Sequence, residues 1–497
     1  MTDRGQPRPA AQWLASGWIL LLAVTVASGF WGASYDDAYI TYRYADRWAD
    51  GHGLTFNDGE SVLGTTAPGL ALLLGAADRH AGIDPPDGGT LLAVASLALM
   101  ALLLLSGPGA GSIRVATAVL FAAIAFTCRW NIEMFGAEAM PAAALGALGI
   151  SLVLRGEHCS GGSLVGGGLA LGLAAWLRLD LLAASALVGL LLWREGGWSM
   201  RRFPWPFALA AGTPPLLLVA ILQRTFGSPV PATLAGKQSE MADASPYGLD
   251  QWHWLERAFP QGTLWILLAL AAAGIAWTLR DRSRVFLALA GAVLVLEVFY
   301  RASGVPFAPW YHLALVNGLL ALAAIGAVGL GGRLGRGLTH FSPGTATGWT
   351  ALLIAFLLAL PVWFPGVSWT ATAWNGTPDP RTRLYGEVGD YLARHSARDA
   401  RVAAVEIGAL AYRADRSVLD LVGLVNPAIV SAREEDRLHA YFAAEAPDYI
   451  MDAPLFRRRF LDEMLDAPAI AGTYRPVARF FDPDYPADPV VLLTKAP

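Results

Sequence analysis

The chain has 497 residues, of which 55% are hydrophobic and 15% charged, whereas soluble domains usually carry about 25% charged residues. This composition indicates an integral membrane protein, and the apolar runs around the 53 glycines and 31 prolines exclude a disordered or collagen-like chain. A net charge of −4 argues against nucleic acid as the main partner, and two cysteines are too few for a disulfide framework.

Apolar stretches long enough to cross a membrane recur along most of the chain. A transmembrane helix needs about 20 mostly apolar residues. The run Ala67–Ala77 is too short to span and predicts a helix at the interface, while 163–193 could form one broken helix. We predict an α-helical polytopic membrane protein with about eleven transmembrane helices, at 13–33, 90–107, 113–130, 139–154, 163–177, 180–193, 203–223, 262–279, 285–300, 309–330 and 349–365.

The arginines predict how these helices are oriented, because short cytoplasmic loops carry an excess of Lys and Arg. If the N-terminus is cytoplasmic, every short inner loop is basic and nearly all acidic residues fall on the opposite face. We therefore predict a multi-pass protein of the plasma (inner) membrane with a cytoplasmic N-terminus. A cleaved signal peptide at the first apolar stretch is the alternative, and it is disfavoured because that stretch is long enough to span.

The composition changes after Gly366, because 379–497 is rich in charged residues and has no long apolar run. Helical patterns at Arg381–Ala393 and Arg433–Ala444 alternate with strand-like runs, which predicts a small extracytoplasmic α/β domain. The predicted domains are 1–365, a transmembrane domain that includes a catalytic outer loop at 34–89, and the soluble domain 366–497. The strand-like runs are Val402–Ile407, Val418–Val425, Tyr449–Met451, Val477–Phe481 and Val490–Leu493.

Two adjacent carboxylates, Asp36 and Asp37, open the first outer loop. Like charges this close raise the pKa of at least one of them unless a cation or hydroxyl intervenes. One could act as a general base toward a hydroxyl, while the other orients a substrate or binds a divalent cation. The alternative is a solvated helix start, since Asp suits the first turn of a helix.

Cations and aromatic rings follow the Asp pair, including Arg43 and Tyr44. Aromatic rings beside carboxylates suit sugar rings, and the planar guanidinium of Arg suits phosphate. In the second outer loop Glu138 stands at the mouth of the next helix, where an ionisable residue is a functional candidate. A carboxylate that simply faces water at a helix start is the equally weighted alternative for Glu138.

Three further segments of the outer face carry candidate substrate-binding residues. Arg178 and Asp180 interrupt two apolar runs, and residues two apart on a helix do not face each other, so we do not expect a simple local ion pair. Arg178 is instead expected to pair with an anionic substrate or with a carboxylate of another loop. The other candidates, each with an ordinary interfacial role as its alternative, are Lys237, Trp310, Tyr311 and His312.

The sequence contains no metal-binding motif with defined ligand spacing, no P-loop and no dinucleotide-binding glycine pattern after a strand. No cofactor is therefore implied by a motif. A divalent cation at the Asp pair remains one alternative.

Five segments of the membrane portion stand out together: DDAYITYRYADRWADGHGLTFNDGE from Asp36, GAE at 136–138, RLD at 178–180, FGSPVPATLAGK at 226–237 and WYH at 310–312. In these segments, and in their order, the chain resembles polytopic GT-C-fold glycosyltransferases. The first of them, from Asp36, is most similar to cell-wall arabinofuranosyltransferases and to uncharacterised bacterial relatives. The later string AAVEIGALAYRADRSVLDLVGLVNP looks like the start of the outer domain in the same group.

The resemblance implies transfer of a sugar from a polyprenyl-phosphate donor to a cell-envelope glycan or lipid acceptor on the outer membrane face. It implies that Asp36 and Asp37 are the catalytic carboxylates and that Glu138 is the acidic residue of the second loop. The expected mechanism is an inverting single displacement in which one Asp takes the proton of the acceptor hydroxyl. A transporter or flippase of a lipid-linked sugar is the alternative, and an inactive scaffold is a third. The candidates for the donor phosphate are Arg178, Lys237 and His312.

Overall fold

A computed structural model describes residues 9–106, 111–155, 160–232, 247–260, 262–302, 307–338, 345–374, 376, 379–457, 461–465, 470–485 and 489–496. The chain divides into two compact units. The helical unit comprises 1–31, 90–218 and 245–376, and the mixed unit comprises 32–89, 219–244 and 377–497.

Helices dominate the described part of the chain. They are α1 (Pro9–Gly29), α2 (Asp36–Ala49), α3 (Pro68–Ala81), α4 (Pro85–Leu104), α5 (Gly111–Thr127), α6 (Arg129–Glu133), α7 (Ala139–Leu154), α8 (Gly161–Leu177), α9 (Leu182–Glu195), α10 (Trp205–Phe226), α11 (Tyr247–Ala258), α12 (Thr263–Asp281), α13 (Arg284–Ala302), α14 (Leu313–Leu338), α15 (Thr345–Thr372), α16 (Pro380–His395), α17 (Gly408–Ala414), α18 (Pro427–Glu434), α19 (Leu438–Glu445), α20 (Pro454–Phe456) and α21 (Asp462–Leu465).

Each of the eleven predicted apolar stretches coincides largely with one of these helices. Within the described residues, seven helices are long and apolar enough to cross a membrane, namely α1, α4, α10, α12, α13, α14 and α15. Shorter apolar helices stand at α5, α7 and α8. The short run Ala67–Ala77 forms most of α3, as predicted. The number of eleven crossings remains a prediction.

The two units differ in their secondary structure, because the mixed unit also contains a five-stranded sheet in the order β2-β1-β3-β5-β4. The central strand β3 pairs in parallel with β1 and antiparallel with β5. Apolar side chains such as Leu419 and Ile450 form a buried core beside the sheet. The strands are β1 (Arg401–Ala404), β2 (Ser417–Asp420), β3 (Tyr449–Asp452), β4 (Tyr474–Phe480) and β5 (Val490–Lys495).

All five predicted strands are present, but the predicted helix Arg433–Ala444 is wrong as a single element. The chain forms α18 and α19 instead, and Asp436 lies between them with a φ of +55°. This left-handed conformation is incompatible with a continuous right-handed helix. The tertiary structure thus overrides a helical pattern that looked continuous in sequence.

Residues of the first loop pack within the mixed unit against its C-terminal segment. The Asn57 side-chain amide donates to the Val418 carbonyl, and its oxygen accepts from the Val418 N–H, each at 2.9 Å. Asn57 thereby satisfies the backbone of β2 as a neighbouring strand would. A Cβ on Gly64 would lie 2.2 Å from a Val425 methyl carbon, so this contact requires glycine. The first loop and the α/β segment therefore form one packed body.

Close helix packing in the helical unit predicts which glycine substitution should destabilise the protein. A Cβ on Gly326 of α14 would lie 2.0 Å from the Leu270 carbonyl oxygen, whereas a Cβ on Gly318 of the same helix meets no atom within 4 Å. Gly326→Ala should lower the apparent melting temperature in detergent, because overpacking costs about 1–3 kcal/mol. Gly318→Ala is the matched control and should leave that temperature unchanged or higher. Equal effects of the two substitutions would contradict this packing.

Candidate functional site

Three carboxylates meet in the mixed unit and form what we call the carboxylate cluster: Asp36, Asp37 and Glu406. One oxygen from each lies within 4.8 Å of the others. Asp36 and Asp37 begin α2, where the N-terminal end of the helix favours negative charge. Glu406 follows β1 and precedes α17. The cluster therefore joins the two ends of the sequence at one point.

The Asp36 carboxylate accepts hydrogen bonds from two backbone amides. Its side chain is buried, with the residue only 1% exposed. The N–H of Ala409 donates to Asp36 Oδ1 at 2.9 Å, and the N–H of Gly408 donates to Oδ2 at 3.3 Å. A Cβ on Gly408 would lie 2.0 Å from the Asp36 carbonyl oxygen, so only glycine allows this approach. Asp36 is therefore fixed in position and shielded from solvent.

Asp37 has a different environment from its neighbour. It is half-buried, and it makes no hydrogen bond or ion pair with the described residues. The charge near the cluster is partly balanced by Arg381, whose Nη1 lies 3.7 Å from Glu406 Oε1. Arg381 also donates to the Asp379 carboxylate at 3.1 Å and 3.2 Å. Two carboxylates of the cluster are thus engaged by the protein, while Asp37 is left available.

Burial makes the cluster bind a proton more tightly than isolated carboxylates would. Burial raises the pKa of Asp36 to about 6, with the Ala409 N–H opposing this and the charge of Asp37 adding to it. Burial and then the negative charge of Asp36 raise the pKa of Glu406 well above its usual value. Since Glu406 is 14% exposed, the cluster is not fully isolated from solvent. Both shifts favour the protonated form of the buried pair, and a bound cation could take the place of that proton.

The cluster could also hold a divalent cation. Three carboxylate oxygens are suitable ligands for a hard cation such as Mg²⁺ or Mn²⁺. The cation would replace the proton of the buried pair and relieve the repulsion among the carboxylates. The nearby guanidinium of Arg381 supplies one positive charge, which balances the three carboxylates only in part.

Arg43 and Tyr44, predicted to bind substrate, have their polar groups engaged inside the mixed unit. Arg43 is 3% exposed, and its guanidinium donates to the carbonyls of Phe56, Ala411 and Arg416. The Tyr44 hydroxyl donates to the Val62 carbonyl and accepts from the Gly64 N–H. These contacts favour a role of both residues in holding the first loop rather than in contacting a substrate.

A second polar group, in the helical unit, is centred on Arg178. Its Nη1 lies 2.7 Å from Glu138 Oε1, and its guanidinium also binds both oxygens of Asp180. The Tyr300 hydroxyl donates to Asp180 as well. The Arg178 side chain is only 10% exposed. Its charge is neutralised by the carboxylates of Glu138 and Asp180. Of the two partners expected for Arg178, the structure shows the carboxylate of another loop, that of Glu138.

The expectation that Arg178 and Asp180 would not pair locally is wrong. It assumed a helical backbone, but α8 ends at Leu177 and Arg178 is extended, with φ −145° and ψ 110°. A short 3₁₀ turn then follows at Leu179–Leu181. The break turns both side chains to the same side, which a continuous helix would prevent.

The Trp310–His312 segment contributes aromatic rings and a buried imidazole to the helical unit. The guanidinium of Arg178 lies over the Tyr311 ring at 5.0 Å, and Trp310 packs edge-on to Tyr311. His312 is fully buried, with Nδ1 2.7 Å from Glu297 Oε1. Gln251 donates to Glu297 Oε2 at 3.2 Å, and Arg301 donates to the same oxygen at 2.7 Å. His312 is therefore positioned by protein partners rather than left open to a ligand.

Lys237, a predicted substrate-binding residue, lies outside the described residues. Conversely, several polar residues of the groups described above were not identified from the sequence. Glu406 is an isolated charge in the apolar string AAVEIGALAY, a signal that could have identified it. Glu297 is an acidic residue inside an apolar helix, which by itself marks a functional candidate. Tyr300 had no comparable signal, because aromatic residues are common near membrane interfaces.

Solved structures of similar architecture include bacterial and archaeal membrane enzymes. ArnT from Cupriavidus metallidurans in the apo state matches with a TM-score of 0.62 and 12% identity, covering 97% of this chain and 98% of that chain. The same protein bound to undecaprenyl phosphate matches with a TM-score of 0.55 and 13% identity over 96% and 98%. The oligosaccharyltransferase AglB from Archaeoglobus fulgidus, in complex with an inhibitory peptide and a dolichol-phosphate, matches at 0.52 and 12% over 88% and 69%.

These structures have the GT-C fold, and this chain shares it. Together with its apolar helices, the fold makes the chain a multi-pass membrane protein. A sequence-family profile described as a domain of unknown function, DUF8728, matches residues 375–494. No curated protein sequence matches the chain.

The raised pKa of Asp36 predicts how stability depends on pH. Because the folded state holds this proton more tightly than the unfolded state, Asp36 contributes most to stability below pH 3.8, and the contribution is lost as pH rises to about 6. Asp36→Asn removes this dependence. The difference in melting temperature between Asp36→Asn and wild type should therefore increase in favour of the variant from pH 4 to about 6, and then level off. A difference independent of pH would contradict the assignment.

The Arg178 group predicts a large effect of removing its only shared cation. Arg178→Gln would leave Glu138 and Asp180 buried without their guanidinium partner, which costs about 3–5 kcal/mol. The apparent melting temperature should fall sharply. Arg301→Gln is the control, because Arg301 is about half exposed and its partner Glu297 keeps His312. A larger fall for Arg301→Gln than for Arg178→Gln would overturn the structural importance of Arg178.

Proposed function

We propose that the protein is a glycosyltransferase that moves a sugar from a polyprenyl-phosphate donor to a cell-envelope glycan or lipid acceptor on the outer membrane face. The observation that carries this proposal is the carboxylate cluster at the start of α2 in a chain with the GT-C fold. Undecaprenyl phosphate and dolichol-phosphate bound to ArnT and AglB support the choice of donor class. The proposed orientation has a cytoplasmic N-terminus and an extracytoplasmic C-terminal segment.

Asp37 is the proposed general base. It is half-buried and free of hydrogen bonds to the described residues, so an acceptor hydroxyl can reach it. Asp36 is buried against the amides of Gly408 and Ala409 and would have to leave them to touch a substrate. Asp36 and Glu406 are therefore proposed as positioning residues next to Asp37. A base within hydrogen-bond reach typically contributes about a hundred- to ten-thousand-fold in rate.

The proposed reaction is a single displacement with inversion. The acceptor oxygen forms a bond to the anomeric carbon as the bond from that carbon to the phosphate oxygen breaks. Asp37 takes the acceptor proton, and polyprenyl phosphate leaves with the bonding electron pair. Positioned cations stabilise charge that develops on such a leaving group.

The donor-binding residues are proposed from the helical unit, and Lys237, which lies outside the described residues, stays a candidate from the sequence alone. Arg178 offers a guanidinium stacked on Tyr311, and Trp310 extends the aromatic surface. Glu138 and Asp180 hold Arg178 in place. His312 is proposed to act indirectly, through its contact with Glu297. A phosphate would compete with these carboxylates for the Arg178 donors, so binding would be accompanied by rearrangement of the ion pairs.

A transporter or flippase of a lipid-linked sugar is the second candidate. Glu297 favours it, because this carboxylate lies within an apolar helix and pairs with a buried histidine. Ionisable pairs inside membrane helices mark substrate or proton pathways in transporters. The two candidates differ in chemistry, since only a transferase releases polyprenyl phosphate.

The first test is acceptor-dependent release of polyprenyl phosphate by the full chain reconstituted in lipid with a panel of polyprenyl-phosphate sugars. Asp37→Asn should lower the rate by at least a hundredfold, because the amide cannot take the proton. Asp50→Asn is the matched control, since Asp50 is an exposed carboxylate that caps the other end of α2. Its rate should equal that of wild type.

Two results would overturn the assignment in different ways. Normal turnover by Asp37→Asn would remove Asp37 as the base while leaving the transferase intact. Movement of a labelled lipid-linked sugar between leaflets, without release of polyprenyl phosphate from any donor, would replace the transferase by the transporter.

A further inference from the structure

An apolar cavity of about 1100 Å³ lies within the helical unit, and none of the carboxylates proposed for catalysis lines it. Its walls come mainly from α7, α13 and α14, with side chains such as Ile150, Leu289 and Leu319. A Cβ built on Gly146, which also lines the cavity, meets no atom within 4 Å. The cavity is therefore open space between helices.

Arginines surround one end of this cavity, which we call the basic mouth: Arg114, Arg155, Arg280, Arg282 and Arg284. They come from the start of α5, the end of α7 and the connection between α12 and α13. Asp281 also lines the mouth, and Glu195 pairs with Arg284, so the positive charge is only partly balanced by the described residues. Burial and the charge of Arg114 lower the pKa of Arg155. Arg114 and Arg155 are thus close enough to repel each other.

The length of the cavity matches one leaflet of a bilayer. Lining residues on α7 run from Ala143 to Arg155, and those on α13 run from Arg284 to Glu297. At about 1.5 Å per helical residue these segments are about 18–20 Å long. One leaflet contributes roughly half of the ~30 Å hydrocarbon core. An acyl chain of that leaflet could therefore fill the apolar part while its head group stays at the mouth.

We propose that this cavity binds an anionic phospholipid of the cytoplasmic leaflet, with its phosphate at the basic mouth and its acyl chains between α7, α13 and α14. The arginines supply the charge that an anionic head group needs, and the apolar walls suit hydrocarbon. The loops that carry the basic mouth are predicted to be cytoplasmic, and anionic lipids of that leaflet attract basic residues. The leaflet-length cavity favours a phospholipid over a much longer polyprenyl chain. The basic mouth contains none of the residues proposed for the transferase reaction.

The test uses the full-length protein, delipidated in detergent and incubated with phosphatidylglycerol or with phosphatidylcholine of the same acyl chains. Lipid retained after gel filtration is measured by mass spectrometry. Wild type should retain at least fivefold more phosphatidylglycerol than phosphatidylcholine. The double variant Arg155→Gln/Arg280→Gln should lose this preference, and Gly146→Leu, which fills the cavity, should lose retention of both lipids.

Arg201→Gln/Arg202→Gln is the matched control, because these two arginines belong to another basic loop and do not line the cavity. It should behave as wild type, and melting temperatures verify that each variant is folded. An equal loss in this control would show a general attraction of basic loops and overturn the site. Equal retention of the two phospholipids by wild type, or displacement of phosphatidylglycerol by equimolar undecaprenyl phosphate, would also overturn it.

Discussion

The burial of the Asp36 carboxylate is the constraint on which the mixed unit depends. Two backbone amides at the start of α17 hold this carboxylate, and Gly408 is required because any side chain there would collide with Asp36. The contact joins residues separated by more than 370 positions and brings Glu406 to the Asp pair. Arg43 and Asn57 reinforce it through backbone groups of the same C-terminal segment. The first loop therefore acquires its geometry from the C-terminal segment.

The polar groups of the described residues balance charge in different ways. Around Arg178, two buried carboxylates share one guanidinium, and around His312 the carboxylate of Glu297 is matched by an imidazole and by Arg301. The carboxylate cluster has one nearby guanidinium, which also binds Asp379. Excess negative charge is therefore concentrated at Asp36, Asp37 and Glu406. Burial favours protonation of Asp36 and Glu406, whereas the half-buried Asp37 is the carboxylate left available to a substrate.

The sequence was sufficient to predict features that depend on local pattern. Apolar length located the helices, and short strand-like runs located all five strands, because both signals are contained within a few residues. Asp36 and Asp37 were singled out because adjacent carboxylates at a membrane surface are costly, and their catalytic role came from the resemblance and stays a proposal. Glu406 was missed since its partners lie at the other end of the chain, and the Arg178–Asp180 pair was missed since it depends on an extended residue between helices. The occupied donors of Arg43 likewise depend on distant carbonyls.

In the proposed reaction Asp37 takes the acceptor proton while Glu406 keeps its own. The measurement that tests this most sharply compares acceptor-dependent polyprenyl-phosphate release by wild type, Glu406→Gln and Asp37→Asn. Burial and the charge of Asp36 raise the pKa of Glu406 and favour its protonated form, which glutamine mimics. Glu406→Gln should therefore keep most of the wild-type rate, whereas Asp37→Asn should lose at least a hundredfold. An equal loss in the two variants, at unchanged melting temperature, would contradict Asp37 as the base.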